Sequence, residues 1–344
     1  MWPYLLAIFL FGVLIAIHEF GHFSFAKLFK VKVNEFSLGM GPKLISKTKG
    51  ETTYSLRLLP IGGFVSMEGE DEDSDDDRAF NKKPAWQRFI IVAAGAILNL
   101  ILGVVVVAIC LSCSDLVGTR EVHSFFDNAT SQQTGLQAGD EIIEINGTKI
   151  YSFKGISFNL VRDSDNKLDM VVRRGGEKVK LEGVTFNQFE FEGRQYIEQD
   201  FIIVGEKPTV FNVVKNAFLD SASIVQMVRL SIVDIFTGKY GIKDISGPVG
   251  TISAIAESTA EAESFSDKIL TALTFLSMIT INVGVFNLLP FPALDGGRLF
   301  FIFVEMIRRK PIPAKKEGLV HTVGMVILLA FMAVVMISDI IKVI

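Results

Sequence analysis

The chain has 344 residues, of which 49% are hydrophobic and 21% are charged, and its formal net charge is −4. Its apolar residues form long runs with the charges between them, which is typical of a membrane protein that also carries a polar part. The negative net charge, together with the lack of a basic patch interleaved with aromatic residues, argues against a nucleic-acid partner.

The first apolar run ends in two histidines that are one helical turn apart. Residues 2–17 carry no charged side chain, and the pattern H-E-x-x-H follows at residues 18–22. Residues four apart share one face of a helix, so His18 and His22 can hold one metal ion. Glu19 can then act as the catalytic base on a water molecule beside that ion. Because ionisable groups in a membrane helix are costly and usually functional, the pattern predicts one Zn²⁺ site within the bilayer.

A polar connection separates the first apolar run from the second. Residues 34–65 combine short apolar stretches with two glycine-rich segments, residues 39–42 and Gly62-Gly63. This pattern indicates β-hairpins. The acidic run at residues 68–77 predicts a solvated linker.

Four apolar segments reach the ~20 residues that a helix needs to cross a bilayer. They cover residues 4–25, 89–111, 269–289 and 319–341. Lysine and arginine concentrate between the first and second segments and between the third and fourth, so the positive-inside rule assigns both connections to the cytoplasm. Both termini are then outside. A helix rises about 21 Å over 14 residues, which places His18 towards the cytoplasmic side.

The region between the second and third spans turns polar and strand-like over residues 117–205. Its segment at residues 135–147, GLQAGDEIIEING, resembles the signature of PDZ domains. By the predicted topology this region is outside the cytoplasm, where it could bind the end of a peptide or protein, exclude intact ectodomains by size, or act only as a spacer. Residues 210–236 have charged residues within a helical apolar spacing, which predicts an amphipathic helix on the outer membrane surface.

A third metal ligand is predicted after the third apolar run. Residues 287–297 read NLLPFPALDGG, where two prolines stop the helix and two glycines permit a tight turn. Asp295 is therefore expected on irregular backbone at membrane depth, where protein or a water-filled cavity must surround it. Two histidines and one carboxylate, with a fourth position open, form a catalytic zinc arrangement. The alternative is that Asp295 only caps a helix or turn.

Together, HEFGH and NLLPFPALDGG resemble the motifs of the site-2 protease family, the peptidase M50-type intramembrane zinc metalloproteases. The chain is most similar to the bacterial enzymes of regulated intramembrane proteolysis, here with a single PDZ domain. Further matches lie at residues 59–65, 94–99 and 246–250, so the resemblance covers nearly the whole chain. Ala96 stands where the family often has proline.

The resemblance implies a membrane α-helical core of four transmembrane helices, with a membrane-associated β-hairpin element and an inserted α+β PDZ domain. The expected domains are residues 1–116 with the first two spans and the H-E-x-x-H motif, residues 117–205 with the PDZ domain, residues 206–265 with the membrane-surface helix, and residues 266–344 with the last two spans and the LDG motif.

The activity implied by the resemblance is cleavage of the transmembrane segments of single-span membrane proteins, either anti-sigma factors or remnant signal peptides. The protein is then expected in the plasma or inner membrane, in contact with lipid. Four further residues match family positions that line the substrate: Asn99, Asn287, Gly62 and Gly63.

Three other functions remain open at the level of the sequence. A catalytically inactive PDZ-bearing membrane scaffold is disfavoured because Glu19 and all three predicted ligands are intact. A secreted-type zinc protease with a membrane anchor requires the H-E-x-x-H helix to lie outside the bilayer. A metal transporter is disfavoured by the single set of metal ligands and the lack of other charged residues within the spans.

Overall fold

The computed structural model describes residues 2–70, 72, 74–163, 165–191, 194–241, 245, 247–310 and 312–343. The chain divides into two compact units. One unit contains residues 1–106 and 234–344, and the other contains residues 107–233.

The helices in chain order are α1 (Trp2–Leu28), α2 (Ala85–Cys113), α3 (Thr130–Gln133), α4 (Phe153–Arg162), α5 (Val210–Phe236), α6 (Pro248–Glu261), α7 (Phe265–Leu288), α8 (Asp295–Arg308) and α9 (Ala314–Val343). The strands are β1 (Val33–Lys49), β2 (Thr52–Met67), β3 (Val117–Phe125), β4 (Glu141–Ile145), β5 (Thr148–Lys149), β6 (Leu168–Arg174), β7 (Glu177–Val184), β8 (Gln188–Phe191), β9 (Arg194–Ile197) and β10 (Phe201–Glu206).

Four of the described helices are long and apolar enough to cross a membrane, namely α1, α2, α7 and α9. They coincide with the four apolar segments of the sequence, so the prediction of four spans and a β element after the first is confirmed. Helix α6, which the sequence did not predict, packs against α1, α7 and α9. At its start, the backbone N–H groups of Gly247 and Gly250 donate hydrogen bonds to the Asp339 carboxylate of α9, at 3.2 and 2.9 Å.

Strands β1 and β2 form more than the predicted hairpin, because each bends and pairs twice. The first half of β1 pairs with residues 63–67 of β2 on one side and with residues 53–56 on the other. The second half of β1 then pairs with residues 52–57. The bends occur where glycines adopt left-handed backbone angles, at Gly39 and Gly41 (φ +84°) and at Gly62 (φ +78°). The result is a small four-segment sheet in which residues 63–67 form an edge.

Half-buried and exposed ion pairs around Glu35 connect the segments of this sheet. Glu35 on β1 accepts hydrogen bonds from Ser55 at 2.5 Å, Arg57 at 2.7 Å and Lys43 at 2.9 Å. Burial acts to raise the pKa of the Glu35 carboxyl, but the hydrogen bonds from Ser55, Lys43 and Arg57 outweigh it and lower that pKa to about 2. Glu35 is therefore ionised at neutral pH, and its hydrogen bonds connect the first half of β1 with Lys43 in the second half and with Ser55 and Arg57 in β2.

The second unit is built on an antiparallel sheet with the strand order β10-β3-β4-β6-β7, and β5 pairs with β4 at its side. Its core consists of fully buried aliphatic and aromatic side chains from the strands and from α4, including Ile142, Leu160 and Phe201. A separate ribbon joins β8 to β9.

Helix α5 occupies the range predicted for an amphipathic helix, and its two faces differ sharply. Its polar face is buried within the second unit, where Asp220 pairs with Lys154 at 3.3 Å. Its other face is apolar and exposed, with Phe211 at 78% and Phe218 at 62% exposure. An exposed aromatic face of this kind suits the interfacial region of a bilayer.

Candidate metal centre and active site

Three electron-donating side-chain atoms from distant parts of the chain converge at one point. On α1, the Nε2 atoms of His18 and His22 lie 3.2 Å apart. The Oδ2 atom of Asp295, at the start of α8, lies 3.1 Å from the first and 3.2 Å from the second. Ligands about 2.1 Å from a tetrahedral zinc ion stand roughly 3.4 Å from one another. The spacing of the three atoms therefore fits a shared metal ion.

The chemistry of the donor set fits a cation as well. The Nδ1 atom of His22 lies 2.9 Å from the carbonyl oxygen of Ile91, so it carries the proton and leaves Nε2 with a bare lone pair. The Oδ2 atom of Asp295 is buried and accepts no hydrogen bond from the described residues. One proton could bridge only one pair of these atoms, whereas a metal ion satisfies all three.

Two glycines allow α1 and α2 to cross beside this point. A Cβ atom on Gly21 would lie 2.6 Å from the carbonyl oxygen of Ala94. A Cβ atom on Gly95 would lie 2.5 Å from Nε2 of His22 and 2.9 Å from Cε1 of His18. Any larger residue at position 95 would occupy the space in which the two histidine rings meet. The sequence placed Gly95 in a family motif but did not reveal this reason for it.

Asn99, which is predicted to line the substrate, lies against a histidine. It is fully buried on α2, and its Nδ2 atom lies 3.3 Å from Nδ1 of His18. Its Oδ1 atom has no partner among the described residues. Rotation of the amide by 180° would bring its oxygen to the position of Nδ2 and let Nδ1–H of His18 donate to it. That arrangement would leave Nε2 of His18 bare for a metal.

The backbone that presents Asp295 differs from the expectation. Residues 289–294 are irregular, but Asp295 itself is the first residue of helix α8. The glycines after it are helical and make close packing possible, since a Cβ atom on Gly296 would lie 1.8 Å from the carbonyl oxygen of Leu289. Gly296 and Gly297 are therefore required because the start of α8 packs closely against the backbone of residues 289–291, and not because the chain turns there.

A cavity of about 190 Å³ opens beside the three donor atoms. Glu19 lines it, and so does the edge segment of β2 that includes Gly63. A Cβ atom on Gly63 would lie 2.9 Å from Cγ of Glu19, so a side chain there would fill the gap between the strand and this carboxylate. The described residues that line the cavity do not include the other two predicted substrate residues, Gly62 and Asn287.

The structure adds residues around the centre that the sequence did not indicate. Arg298 lines the same cavity one helical turn after Asp295 and is paired with Glu70. His321 on α9 accepts a hydrogen bond from the backbone N–H of Ala293, two residues before Asp295. The sequence feature that could have pointed to His321 is its position in an apolar span, because ionisable groups in such spans are usually functional.

The family model for peptidase family M50 matches residues 6–331 of this chain. A Clostridium perfringens protein named as a zinc metalloprotease is 38% identical over 337 residues, and the alignment covers 97% of each chain. A Fusobacterium nucleatum protein named in the same way is 32% identical over 353 residues and 98% of each chain. The regulator of sigma-W protease RasP from Bacillus subtilis is 28% identical over 416 aligned positions and 97% of each chain.

The family match spans most of the chain, and the Clostridium perfringens and Fusobacterium nucleatum relatives, which are named zinc metalloproteases, align over nearly the full length of each chain. This agrees with a cluster of two histidines and one aspartate in a protein with four helices long enough to span a membrane. The chain therefore belongs to peptidase family M50 and is an integral-membrane zinc metalloprotease with Zn²⁺ as its cofactor.

Proposed function

We propose that the chain is an intramembrane endopeptidase in which His18, His22 and Asp295 hold one zinc ion and Glu19 is the general base. The observation that supports this most strongly is the convergence of the three donor atoms within 3.2 Å of one another. Zinc bound there supplies a Lewis acid for a peptide carbonyl and for water. Glu19 takes a proton from the attacking water and later delivers it to the leaving amine.

The edge segment of β2 supports a role in holding the substrate. Residues 63–67 pair with β1 on one side only, and Gly63, Phe64, Val65 and Met67 face the cavity. A substrate strand could add to this edge through backbone hydrogen bonds. Such binding is useful because the peptide bonds of a transmembrane helix are shielded until the helix unwinds. The absence of a side chain at Gly63 leaves room for that strand beside Glu19.

The substrates we propose are single-span membrane proteins, of the anti-sigma-factor or remnant signal-peptide type. The name of the Bacillus subtilis relative, a regulator of sigma-W protease, supports a part in regulated proteolysis. Residues 117–205 then form a single PDZ domain that can bind a peptide or protein end. The antiparallel sheet β10-β3-β4-β6-β7 with α4 across it agrees with that assignment.

Cleavage of a model single-span protein tests this function. The purified full-length protein in phospholipid vesicles is expected to cut inside the apolar segment, with the site mapped by mass spectrometry. Chelation should abolish the cut and added zinc should restore it. A matched substrate whose segment is an unbroken leucine run should be cut more slowly than one with a helix-breaking Gly-Pro pair. Cleavage confined to the soluble part of the substrate would contradict the proposal.

We also propose that the connections between α1 and α2 and between α7 and α9 lie in the cytoplasm and that residues 117–205 lie outside. The distribution of lysine and arginine supports this. In a background with Cys110→Ala and Cys113→Ala, a membrane-impermeant maleimide should label Asp75→Cys only in inverted vesicles. It should label Lys149→Cys only in intact cells whose outer surface is accessible. The reverse pattern would overturn the topology.

A further inference from the structure

The segment that carries Asp295 has an unusual backbone conformation immediately before the helix begins. Ala293 has a φ of +77°, which is a costly conformation for any residue with a side chain. Such a conformation persists only when surrounding contacts determine it. Such contacts include hydrogen bonds within the segment, such as Leu294 N–H to the carbonyl oxygen of Phe291, and contacts from α9, the last of the helices long enough to span a membrane.

Helix α9 meets this segment through two residues one turn apart. The backbone N–H of Ala293 donates a hydrogen bond to Nδ1 of His321 at 3.2 Å. A Cβ atom on Gly324 would lie 2.2 Å from Cβ of Pro292, so α9 and the segment are in direct contact there. A Cβ atom on Gly297 would also lie 3.2 Å from Cε1 of His321. The imidazole ring therefore sits between the strained residue and the first turn of α8.

The far side of the ring faces an acidic group on its own helix. An imidazole that accepts at Nδ1 is neutral and carries its proton on Nε2. This Nε2 atom lies 4.0 Å from the Glu317 carboxylate, whose Oε1 atom is also 4.0 Å from Nε of Arg298. The carboxylate thus lies between the ring and α8, and it favours the orientation in which Nδ1 points at Ala293.

We propose that His321 is a positioning residue for the zinc site. By accepting the Ala293 N–H, it holds the strained backbone that aims the Asp295 carboxylate at His18 and His22. This rests on the proposed role of Asp295 as a zinc ligand. His321 is not one of the three residues whose donor atoms converge. Its effect on the metal would therefore pass through the backbone of residues 293–295.

Zinc affinity, measured on the purified full-length protein by competition with a chromogenic chelator, tests the role of His321. His321→Leu removes the acceptor and should weaken zinc binding by about 10–100-fold, the usual effect of losing a residue that orients a ligand. His321→Asn should recover most of that loss, because its amide oxygen can accept near the position of Nδ1. His321→Gln should not, because its longer side chain places the oxygen near the position of Nε2.

Two further variants separate the possible outcomes. Val323→Ala, at an exposed position of the same helix, should bind zinc like the parent protein. Asp295→Ala should lose zinc; if it does not, the proposed ligand set fails independently of His321. If Asp295→Ala loses zinc while His321→Leu binds it normally, the positioning role is wrong. Equal affinities for His321→Asn and His321→Gln would also overturn it, even if His321→Leu did not fold.

Discussion

Replacing Glu19 with glutamine is expected to reduce peptide hydrolysis by at least about 10²–10⁴-fold, the usual contribution of a general base. Glutamine keeps the size of the side chain but cannot take a proton from the attacking water. Zinc content should stay close to that of the parent protein, because His18, His22 and Asp295 are unchanged. Metal content and turnover of a single-span substrate are to be measured on the same preparation.

Glu121→Gln is a suitable control for this experiment. Glu121 is an exposed residue of β3 and is not among the described residues that line the cavity, so its substitution makes the same chemical change at a residue outside the site. Turnover of this variant should match the parent. Near-normal turnover of Glu19→Gln with zinc in place would show that another group takes the proton.

The second large effect is expected at the distant ligand. Asp295→Ala removes a negatively charged donor and leaves an open coordination position. Zinc affinity should fall by more than about 100-fold, since changes in residues that only orient ligands already cost 10–100-fold. Hydrolysis should fall with it and should recover only at high zinc concentration. Chelator competition and single-turnover cleavage measure the two effects.

Asp267→Ala is the matched control, because it removes an aspartate at the start of a neighbouring helix. Asp267 closes a capping box with Ser264 at the first turn of α7. Its loss should cost about 0.5–2 kcal/mol of stability through the lost cap while leaving zinc affinity unchanged. If Asp295→Ala bound zinc as tightly as Asp267→Ala does, another acidic residue would have to supply the third ligand.

Local spacing was enough to predict that His18 and His22 lie side by side. His18 and His22 are four residues apart in an apolar run, and a helix brings such residues onto one face. Asp295 was predicted from a proline- and glycine-rich segment, but nothing in its own neighbourhood indicates how it reaches α1, 273 residues after His22 in the sequence. That approach depends on helix crossings such as the one at Gly21 and Gly95, which only the fold reveals.

Helix α8 was not predicted, and the reason is physical. The first turn of α8 contains Gly296 and Gly297, which disfavour a helix by propensity and follow two prolines. Close packing against the carbonyl oxygen of Leu289 outweighs that preference, because only glycine fits there. The double pairing of β1 and β2 was missed similarly, because strand register depends on partners that alternation of residue types does not specify.

The residues that contact the predicted ligands and the segment before Asp295 were the least predictable part of the site. The resemblance assigns Asn99 to the substrate, and it gave no indication of the contact with His18 against which Asn99 is buried. No motif in the sequence assigns a role to His321, because its partner is the backbone N–H of Ala293 in the segment before α8. Hydrogen bonds to a backbone group carry no pattern in the sequence, so they become visible only when both segments are placed together.

X-ray absorption at the zinc edge of the purified, unmodified protein tests the metal centre most directly. One zinc ion per chain should be bound by two imidazole nitrogens and one carboxylate oxygen at about 2.0–2.2 Å, with no sulfur ligand. The imidazole signature should persist in Glu19→Gln and weaken in a His22→Ala variant. A zinc–sulfur distance of about 2.3 Å would instead indicate binding by cysteine and would contradict a centre formed by His18, His22 and Asp295.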